Sequence, residues 1–191
     1  GWDKIYGQEG NDTLKAGAGN DYVEGGTGDD VIYGQSGNNT ILGGDGNDKI
    51  FAGTGNDRIN AGKGTNSILF ANNNGTNTIL NGGGTDTVVL TSESNLNNIQ
   101  TSWSDNDLVI QSGNTQVVLD GYKTGNHSVK YIQAGSTKKS ISDVLPATPY
   151  DMANMVVGTD GDDTLSLNFG EYKEGIYDNQ QFILKTEYGA T

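Results

Sequence analysis

The chain has 191 residues, 24 of them acidic and 11 basic, and its formal net charge of −13 repels nucleic acid and anionic membranes and attracts cations. Only 32% of the residues are hydrophobic and 30 are glycine, which is too little apolar material for one large core. Cysteine is absent, so disulfides and thiolate metal sites are excluded and oxygen ligands remain for any metal.

From its first residues the chain repeats every nine residues, with one two-residue insertion absorbed by residues 70–74. The sixth position of each unit is aspartate or asparagine: Asp3, Asp12, Asp21, Asp30, Asn39, Asp48, Asp57, Asn66, Asn77 and Asp86. Two places later an aliphatic residue always follows: Ile5, Leu14, Val23, Ile32, Ile41, Ile50, Ile59, Ile68, Ile79 and Val88. Glycine always stands two places earlier, from Gly1 to Gly84. Disordered low-complexity sequence has no reason to keep both registers, so the period predicts a repeat fold.

Each unit is predicted to be a six-residue turn followed by a three-residue strand. Glycine supplies the left-handed backbone angles of the turn, and the single aliphatic residue of the strand points inward. Such a short strand is stable only when it pairs with equivalent strands above and below. The sequence therefore predicts a parallel solenoid with a thin core of Ile, Leu and Val.

Two units match a known motif, G-G-x-G-x-D-x-U-x, in full: residues 25–33 and residues 43–51. On these residues the chain resembles the RTX, or repeats-in-toxin, family. The resemblance implies an all-β fold, a right-handed parallel β-roll over residues 1–89 that binds several Ca²⁺ ions in its loops. Because two units make one turn of such a roll, sixth-position residues eighteen apart would stack.

Stacked carboxylates explain why a cation is needed. Strand spacing places them about 5 Å apart, where two bare charges repel by about 3 kcal/mol at an effective dielectric of roughly 20. Calcium suits the gap because it accepts six to eight oxygens, including backbone carbonyls, in flexible geometry. We expect a row of aspartates to resist folding until calcium intervenes.

The resemblance also implies which residues hold the ions. In the family, the lower loop gives its sixth-position carboxylate and the carbonyls of positions two and four, and the upper loop gives positions six, one and three. The strongest predicted sites are Asp12 with Asp30, helped by Gln8, Gly10, Gly25 and Thr27, and Asp30 with Asp48, helped by Gly26, Gly28, Gly43 and Asp45. A third site pairs Asp3 with Asp21 and uses the carbonyls of Ala16 and Ala18.

Asparagine replaces aspartate at three sixth positions, and an amide oxygen can coordinate calcium without contributing charge. We expect weaker sites where Asn39 stacks with Asp21 and with Asp57, where Asn66 follows Asp48, and where Asn77 follows Asp57. The carbonyls implied at these positions belong to Gly17, Gly19, Gly34, Ser36, Gly44, Gly46, Ala52 and Thr54. An alternative interpretation is that asparagine closes its turn without metal. The insertion is expected to distort the stack of Asn66 with Asp86.

The second half of the chain changes pattern. Residues 90–145 predict a small β-rich capping region, with predicted strands at 87–90, 108–110, 116–119 and 129–133. A cap is expected because an open solenoid exposes an unpaired end strand. Two prolines, Pro146 and Pro149, mark a linker in residues 146–191, where one further RTX-like motif occupies residues 158–166 with Asp163 at the metal position.

One outward row of strand residues is apolar: Tyr33, Phe51, Leu69 and Val89. We predict that this face contacts a host-cell surface or a later part of the chain. Hydrogen exchange showing it as exposed as the opposite face would count against this hypothesis.

The sequence predicts no enzyme activity. His127 is the sole histidine, no serine stands in a nucleophile elbow, and the repeat already accounts for nearly all carboxylates.

The resemblance implies a calcium-binding segment of a large bacterial protein, a cytolysin or an adhesin, that is exported by a type I secretion apparatus and folds on extracellular calcium. The alternatives are an adhesive ligand-binding solenoid, or the C-terminal part of a secreted lipase or protease. The first residues form neither a signal peptide nor a natural start, so we expect a segment of a longer protein. We expect the chain to be secreted or held at the bacterial surface.

Overall fold

The computed structural model describes residues 1–71, 75–125 and 127–146. The repeat block alternates between two parallel sheets, with the odd-numbered strands in one and the even-numbered strands in the other. In chain order its strands are β1 (Lys4–Glu9), β2 (Thr13–Lys15), β3 (Tyr22–Thr27), β4 (Val31–Tyr33), β5 (Thr40–Asp45), β6 (Lys49–Phe51), β7 (Arg58–Lys63), β8 (Ser67–Phe70), β9 (Gly75–Ile79) and β10 (Asp86–Leu90). This arrangement confirms the predicted all-β parallel roll.

The register between successive strands of each sheet is eighteen residues up to β7 and β8, so two units make one turn. It is twenty residues from β7 to β9 and from β8 to β10, which span the insertion. Tyr22 pairs with Thr40 in one sheet, and Val31 pairs with Lys49 in the other. The aliphatic residue of each unit faces the space between the sheets, and from Val23 to Val88 these side chains are fully buried. Complete burial of one such side chain contributes about 1.5–3 kcal/mol. The predicted core ladder is thus the interior of the roll.

Strand length differs between the two sheets. The even-numbered strands up to β6 have the predicted three residues, whereas β1, β3, β5 and β7 have six. The longer strands bend at the second loop position, where Gln8 has φ 76° and Gly26 has φ 115°. Pairing resumes after this bend, as the Glu9–Thr27 register shows. The left-handed residue therefore turns the strand without ending it.

The insertion leaves the stack intact, contrary to expectation. Phe70 is buried at the end of β8, so it belongs to the strand and does not absorb the insertion. Above it, the Asp86 carboxylate still accepts a hydrogen bond from the Asn66 backbone N–H, at 3.3 Å across twenty residues. The insertion lies between the end of β8 at Phe70 and the start of β9 at Gly75, in a stretch that includes residues outside the described ranges.

The capping region extends both sheets. Its strands are β11 (Gln100–Ser104), β12 (Asp107–Ser112), β13 (Thr115–Leu119), β14 (Val129–Ala134) and β15 (Thr137–Ser140), and 3-10 helices occupy Leu96–Asn98, Tyr122–Thr124 and Ile141–Val144. Strand β13 pairs in parallel with β9, and β14 pairs in parallel with β10. Antiparallel strands then follow on each side. Strands β13 and β14 therefore cover the last parallel strands of the repeat block.

Candidate metal centre

The sixth-position side chains stack along both edges of the roll. We name these edges by their central members: the Asp30 edge carries Asp12, Asp30, Asp48, Asn66 and Asp86, and the Asn39 edge carries Asp3, Asp21, Asn39, Asp57 and Asn77. On each edge, the Oδ1 atom of one residue accepts the backbone N–H of the sixth-position residue one turn below, at 2.7–3.3 Å. Aspartate and asparagine serve equally in this ladder because both offer an oxygen.

The second carboxylate oxygen of the aspartates has no such role. Six Oδ2 atoms are buried and have no hydrogen-bond donor among the described residues: those of Asp12, Asp21, Asp30, Asp48, Asp57 and Asp86. Buried polar atoms are nearly always paired, and an unpaired buried charge is costly. A repeated orphan oxygen at the same loop position therefore requires a ligand, and an anionic oxygen requires a cation.

The space beside each orphan oxygen is lined by further oxygens. A Cβ added to Gly25 would overlap both Asp30 Oδ2 and the carbonyl oxygen of Gly43, one turn above. A Cβ added to Gly43 would meet Asp48 Oδ2 and the carbonyl oxygen of Ala61 in the same way. Glycine at the first loop position thus keeps open a cradle that a small cation can fill.

Carbonyl oxygens of the lower loop also point into the layer between loops. A Cβ on Gly44 would overlap the carbonyl oxygen of Gly26, and one on Gly46 would overlap that of Gly28. Asp30 Oδ2 and the Gly43 carbonyl therefore share one cradle, and the Gly26 and Gly28 carbonyls face the loop above. A calcium ion held by all four groups stays a prediction. One turn lower, the carbonyls of Gln8 and Gly10 approach Gly26 and Gly28 in the same manner.

Third-position carbonyls are already engaged. Those of Thr27 and Asp45 accept the N–H groups of Gly10 and Gly28, each at 2.8 Å. The Asp45 side chain points to solvent, where it pairs with Lys63 at 2.9 Å. One lone pair of each carbonyl is therefore used by a hydrogen bond between turns. The second lone pair can still bind a metal ion.

The predicted carbonyls of the Asn39 edge also have partners. The Ala18 carbonyl accepts the Gly1 ammonium at 2.7 Å. Three more accept backbone N–H groups from neighbouring turns, namely those of Gly17, Ser36 and Thr54. In the loop that Gly34 opens, a Cβ on that glycine would overlap the Ala52 carbonyl oxygen, and no carboxylate is among its nearest atoms. The Gly34 loop therefore lacks the carboxylate oxygen that the Gly25 and Gly43 loops offer to a cation.

Comparison with known proteins agrees with this geometry. Residues 1–32, 33–68 and 150–171 match the profile of the RTX calcium-binding nonapeptide repeat, four copies. The chain carries RTX repeats. The third match contains the motif at residues 158–166, which lies outside the described residues. The family binds calcium, and the hard oxygen donors of the Asp30 edge suit that ion.

Solved structures also match this RTX chain. One of them is the solution structure of the AlgE6R3 subunit from the Azotobacter vinelandii mannuronan C5-epimerase, which is 16% identical in sequence with a TM-score of 0.41, and the match covers 81% of this chain and 93% of that chain. No curated protein sequence matches the chain. Within the described parts of the chain, no helix is long and apolar enough to cross a membrane.

An RTX site in this roll must rely on backbone carbonyls. In the described ranges, no group of three or more His, Cys, Asp or Glu side chains converges on one point. A calcium shell of six to eight oxygens is therefore out of reach of side chains alone. The glycine-rich loops have to supply the remaining ligands, so the site forms only when two turns are stacked.

Burial disfavours the charged form of the stacked carboxylates. It raises the pKa of Asp48 to about 6, even though the Asp30 N–H bond acts in the opposite direction. It also raises the pKa of Asp57 to about 6. The pKa values of Asp30 and Asp86 are raised for the same reason. At neutral pH the metal-free roll holds these charges against a desolvation cost, which a bound cation offsets.

The raised pKa values predict that acid stabilises the calcium-free roll. Asp48 and Asp57 bind protons more tightly in the folded state, so their contribution is fully present below pH 3.8 and is lost as pH rises to about 6. We expect calcium-free protein to gain β structure on acidification from pH 7 to pH 4, measured by circular dichroism. A calcium-free roll that loses β structure over this range would contradict the prediction.

A second ladder was not predicted from the sequence. At the fifth loop position, an Asn or Asp Oδ1 accepts the backbone N–H of the residue one turn above: Asn11 from Asp29, Asp29 from Asn47, Asn20 from Asn38, and Asn38 from Asn56. These side chains are exposed, so their pattern resembles that of solvated polar residues. The signal was present as an Asn or Asp directly before every sixth position from Asp12 to Asp57.

The apolar row lies in register on the outer face of the even-numbered sheet. Tyr33 stacks on Phe51, with ring centroids 4.6 Å apart and an interplanar angle of 8°. Phe51 pairs with Leu69, and Leu69 with Val89. The Lys15 ammonium lies 5.9 Å from the Tyr33 ring. The predicted partner of this face stays a prediction.

Proposed function

We propose that this chain is a folding module that is completed by extracellular calcium, and that it belongs to a large protein exported by a bacterial type I secretion apparatus. The observation that carries the proposal is the set of six buried aspartate oxygens without donors beside glycine cradles lined by carbonyl oxygens. With little calcium, charge repulsion and the desolvation of these carboxylates oppose stacking. With calcium, the free energy of binding adds to the free energy of folding.

The same energetics support the proposed secretion. A chain that stays unfolded in cytosol with scarce calcium can pass through a narrow export channel, and it folds outside, where calcium is millimolar. The binding sites consist of two adjacent turns, so each completed layer helps to order the next one. We propose a cytolysin or an adhesin as the parent, and a role in folding rather than in catalysis.

The surroundings of His127 support a non-catalytic role. Its Nδ1 accepts the Val129 N–H at 3.1 Å, and its Nε2 lies 3.3 Å from the Ile79 carbonyl. Burial lowers the pKa of this histidine, which keeps the ring neutral. Both ring nitrogens are therefore engaged in holding the cap on the roll, and neither is left to transfer a proton to a substrate.

A calcium titration tests the proposal. Protein depleted of calcium at pH 7 is expected to show the circular dichroism spectrum of a coil and to convert to a β spectrum as calcium is added to millimolar concentration. Magnesium at the same concentration is the control, and we expect it to be much less effective because it demands a tight octahedral shell. A β spectrum that does not change on calcium removal would overturn the proposal.

A further inference from the structure

Asn39 lies at the centre of its edge and is 2% exposed. Its Oδ1 accepts the backbone N–H of Asp21 at 2.9 Å, as every sixth-position residue of the ladder does one turn below. Its Nδ2 turns into its own loop and donates to the carbonyl oxygens of Gly34 at 3.0 Å and Gly37 at 3.4 Å. The amide therefore satisfies the ladder with its oxygen and the loop with its nitrogen.

The orientation of the amide follows from its neighbours. The Asp21 N–H must have an acceptor, which fixes the oxygen at the δ1 position, and the two carbonyls must have a donor, which fixes the nitrogen at δ2. At Asp30 the same ladder contact is made by Oδ1, but Oδ2 is buried and has no donor. The two residues thus differ at one atom, which is an anionic acceptor in Asp30 and a donor in Asn39.

We infer that the Asn39 amide group takes the place of a calcium ion and closes the layer between loops 34–39 and 52–57 without metal. This inference rests on the proposed function, because it names which layers of the roll calcium fills. One Nδ2 hydrogen occupies a lone pair of the Gly37 carbonyl, the fourth-position ligand that the lower loop would give to this layer. The other occupies a lone pair of the Gly34 carbonyl, which the same rule gives to the layer below. A cation placed there would meet a donor group and no carboxylate from the lower loop.

Asn66 on the other edge also uses its amide nitrogen as a donor, but its shortest bond goes to a side chain one turn above. Its Oδ1 accepts the Asp48 N–H at 2.7 Å, and its Nδ2 donates to the Asp86 carboxylate at 2.9 Å. The acceptor is the same Oδ1 that receives the Asn66 backbone N–H, so the amide adds a second contact between these two turns. Under this inference, each edge has one layer in which an amide joins neighbouring turns of the folded roll without an ion.

The experiment compares Asn39→Asp with wild type and with the reciprocal variant Asp30→Asn. The number of calcium ions bound per chain is measured by native mass spectrometry at saturating calcium, and β content is measured by circular dichroism on the same samples. We expect Asn39→Asp to bind one ion more than wild type and Asp30→Asn to bind one ion fewer.

The outcomes separate the inference from the proposed function. An Asn39→Asp chain that binds the same number of ions as wild type, or that fails to fold at saturating calcium, overturns the inference while the proposed function stands. Wild-type protein that binds no calcium overturns the proposed function itself. Asn39→Ala supplies the last outcome. If this variant binds one ion fewer than wild type, the layer above Asn39 holds calcium in wild type, and the inference is overturned.

Discussion

A Gly46→Ala substitution is expected to destabilise the calcium-loaded roll far more than Gly10→Ala, although the two glycines hold the same loop position on the same edge. Both have positive φ, 148° and 112°, so alanine strains the backbone at either site by about 1–3 kcal/mol. Only Gly46 has a neighbour in the way, since its Cβ would overlap the carbonyl of Gly28. At Gly10, no atom lies within 4 Å of that Cβ.

The overlap should cost about 1–3 kcal/mol beyond the shared strain, in line with overpacked interiors. Because the Gly28 carbonyl is a proposed ligand of the layer above Asp30, Gly46→Ala should also raise the calcium concentration at the folding midpoint. Urea unfolding in saturating calcium measures the first effect, and calcium titration measures the second. Equal loss of stability in the two variants would show that the turns are not packed as tightly as described.

The sequence alone was enough to predict the roll, because its period constrains every level of the fold. One aliphatic residue per nine leaves room for one inward side chain per strand, and Ile32 and Ile50 lie where that count places them. The turn conformation of the fourth-position glycines could also be predicted, since only glycine combines positive φ with the close approach of the next turn. These features repeat, so an error at one unit would have been visible at the next.

The cap was harder to predict because its signals are not repeated. Strands β11 and β15 were missed: the first has few apolar residues, and the second reads Thr-Lys-Lys-Ser, which contains none. Lys138 and Lys139 belong on an edge strand, where charge discourages further pairing, and their polarity hides the strand from an apolar pattern. Their partners, β12 and β14, carry the hydrophobic signal and were predicted.

The chemistry at the sixth position could be predicted only in part. Composition distinguishes Asp from Asn by charge, and on that basis asparagine positions were expected to be weaker calcium sites. The structure shows that the δ1 and δ2 atoms of each sixth-position side chain make different contacts. Oδ1 joins the turns in every unit, so loss of charge at Asn39 does not break the stack. The δ2 atom alone determines whether the side chain can bind a cation, as an Asp oxygen, or donates a hydrogen bond, as an Asn nitrogen. The groups that this atom contacts are set by the tertiary structure.

The two tasks of one side chain can be separated at Asp48, which is 2% exposed. Asp48→Asn keeps an oxygen for the Asp30 N–H and loses the negative charge, so it is expected to raise the calcium midpoint roughly tenfold or more, since 1.4 kcal/mol corresponds to a factor of ten. Asp48→Ala also leaves the buried Asp30 N–H, now bonded at 2.9 Å, without an acceptor. That loss should cost about a further 1–3 kcal/mol.

Asp45→Ala provides the control, because Asp45 is in the same loop but its carboxylate is exposed and forms an ion pair with Lys63. An exposed ion pair contributes about 0–1 kcal/mol, so this variant should lie close to wild type in both urea unfolding and calcium titration. If Asp48→Asn and Asp48→Ala lose the same stability, the Oδ1 ladder contributes nothing and calcium alone stacks the turns. If Asp48→Ala loses more, the ladder aligns each carboxylate, and its second oxygen is thereby already turned toward the layer that calcium enters.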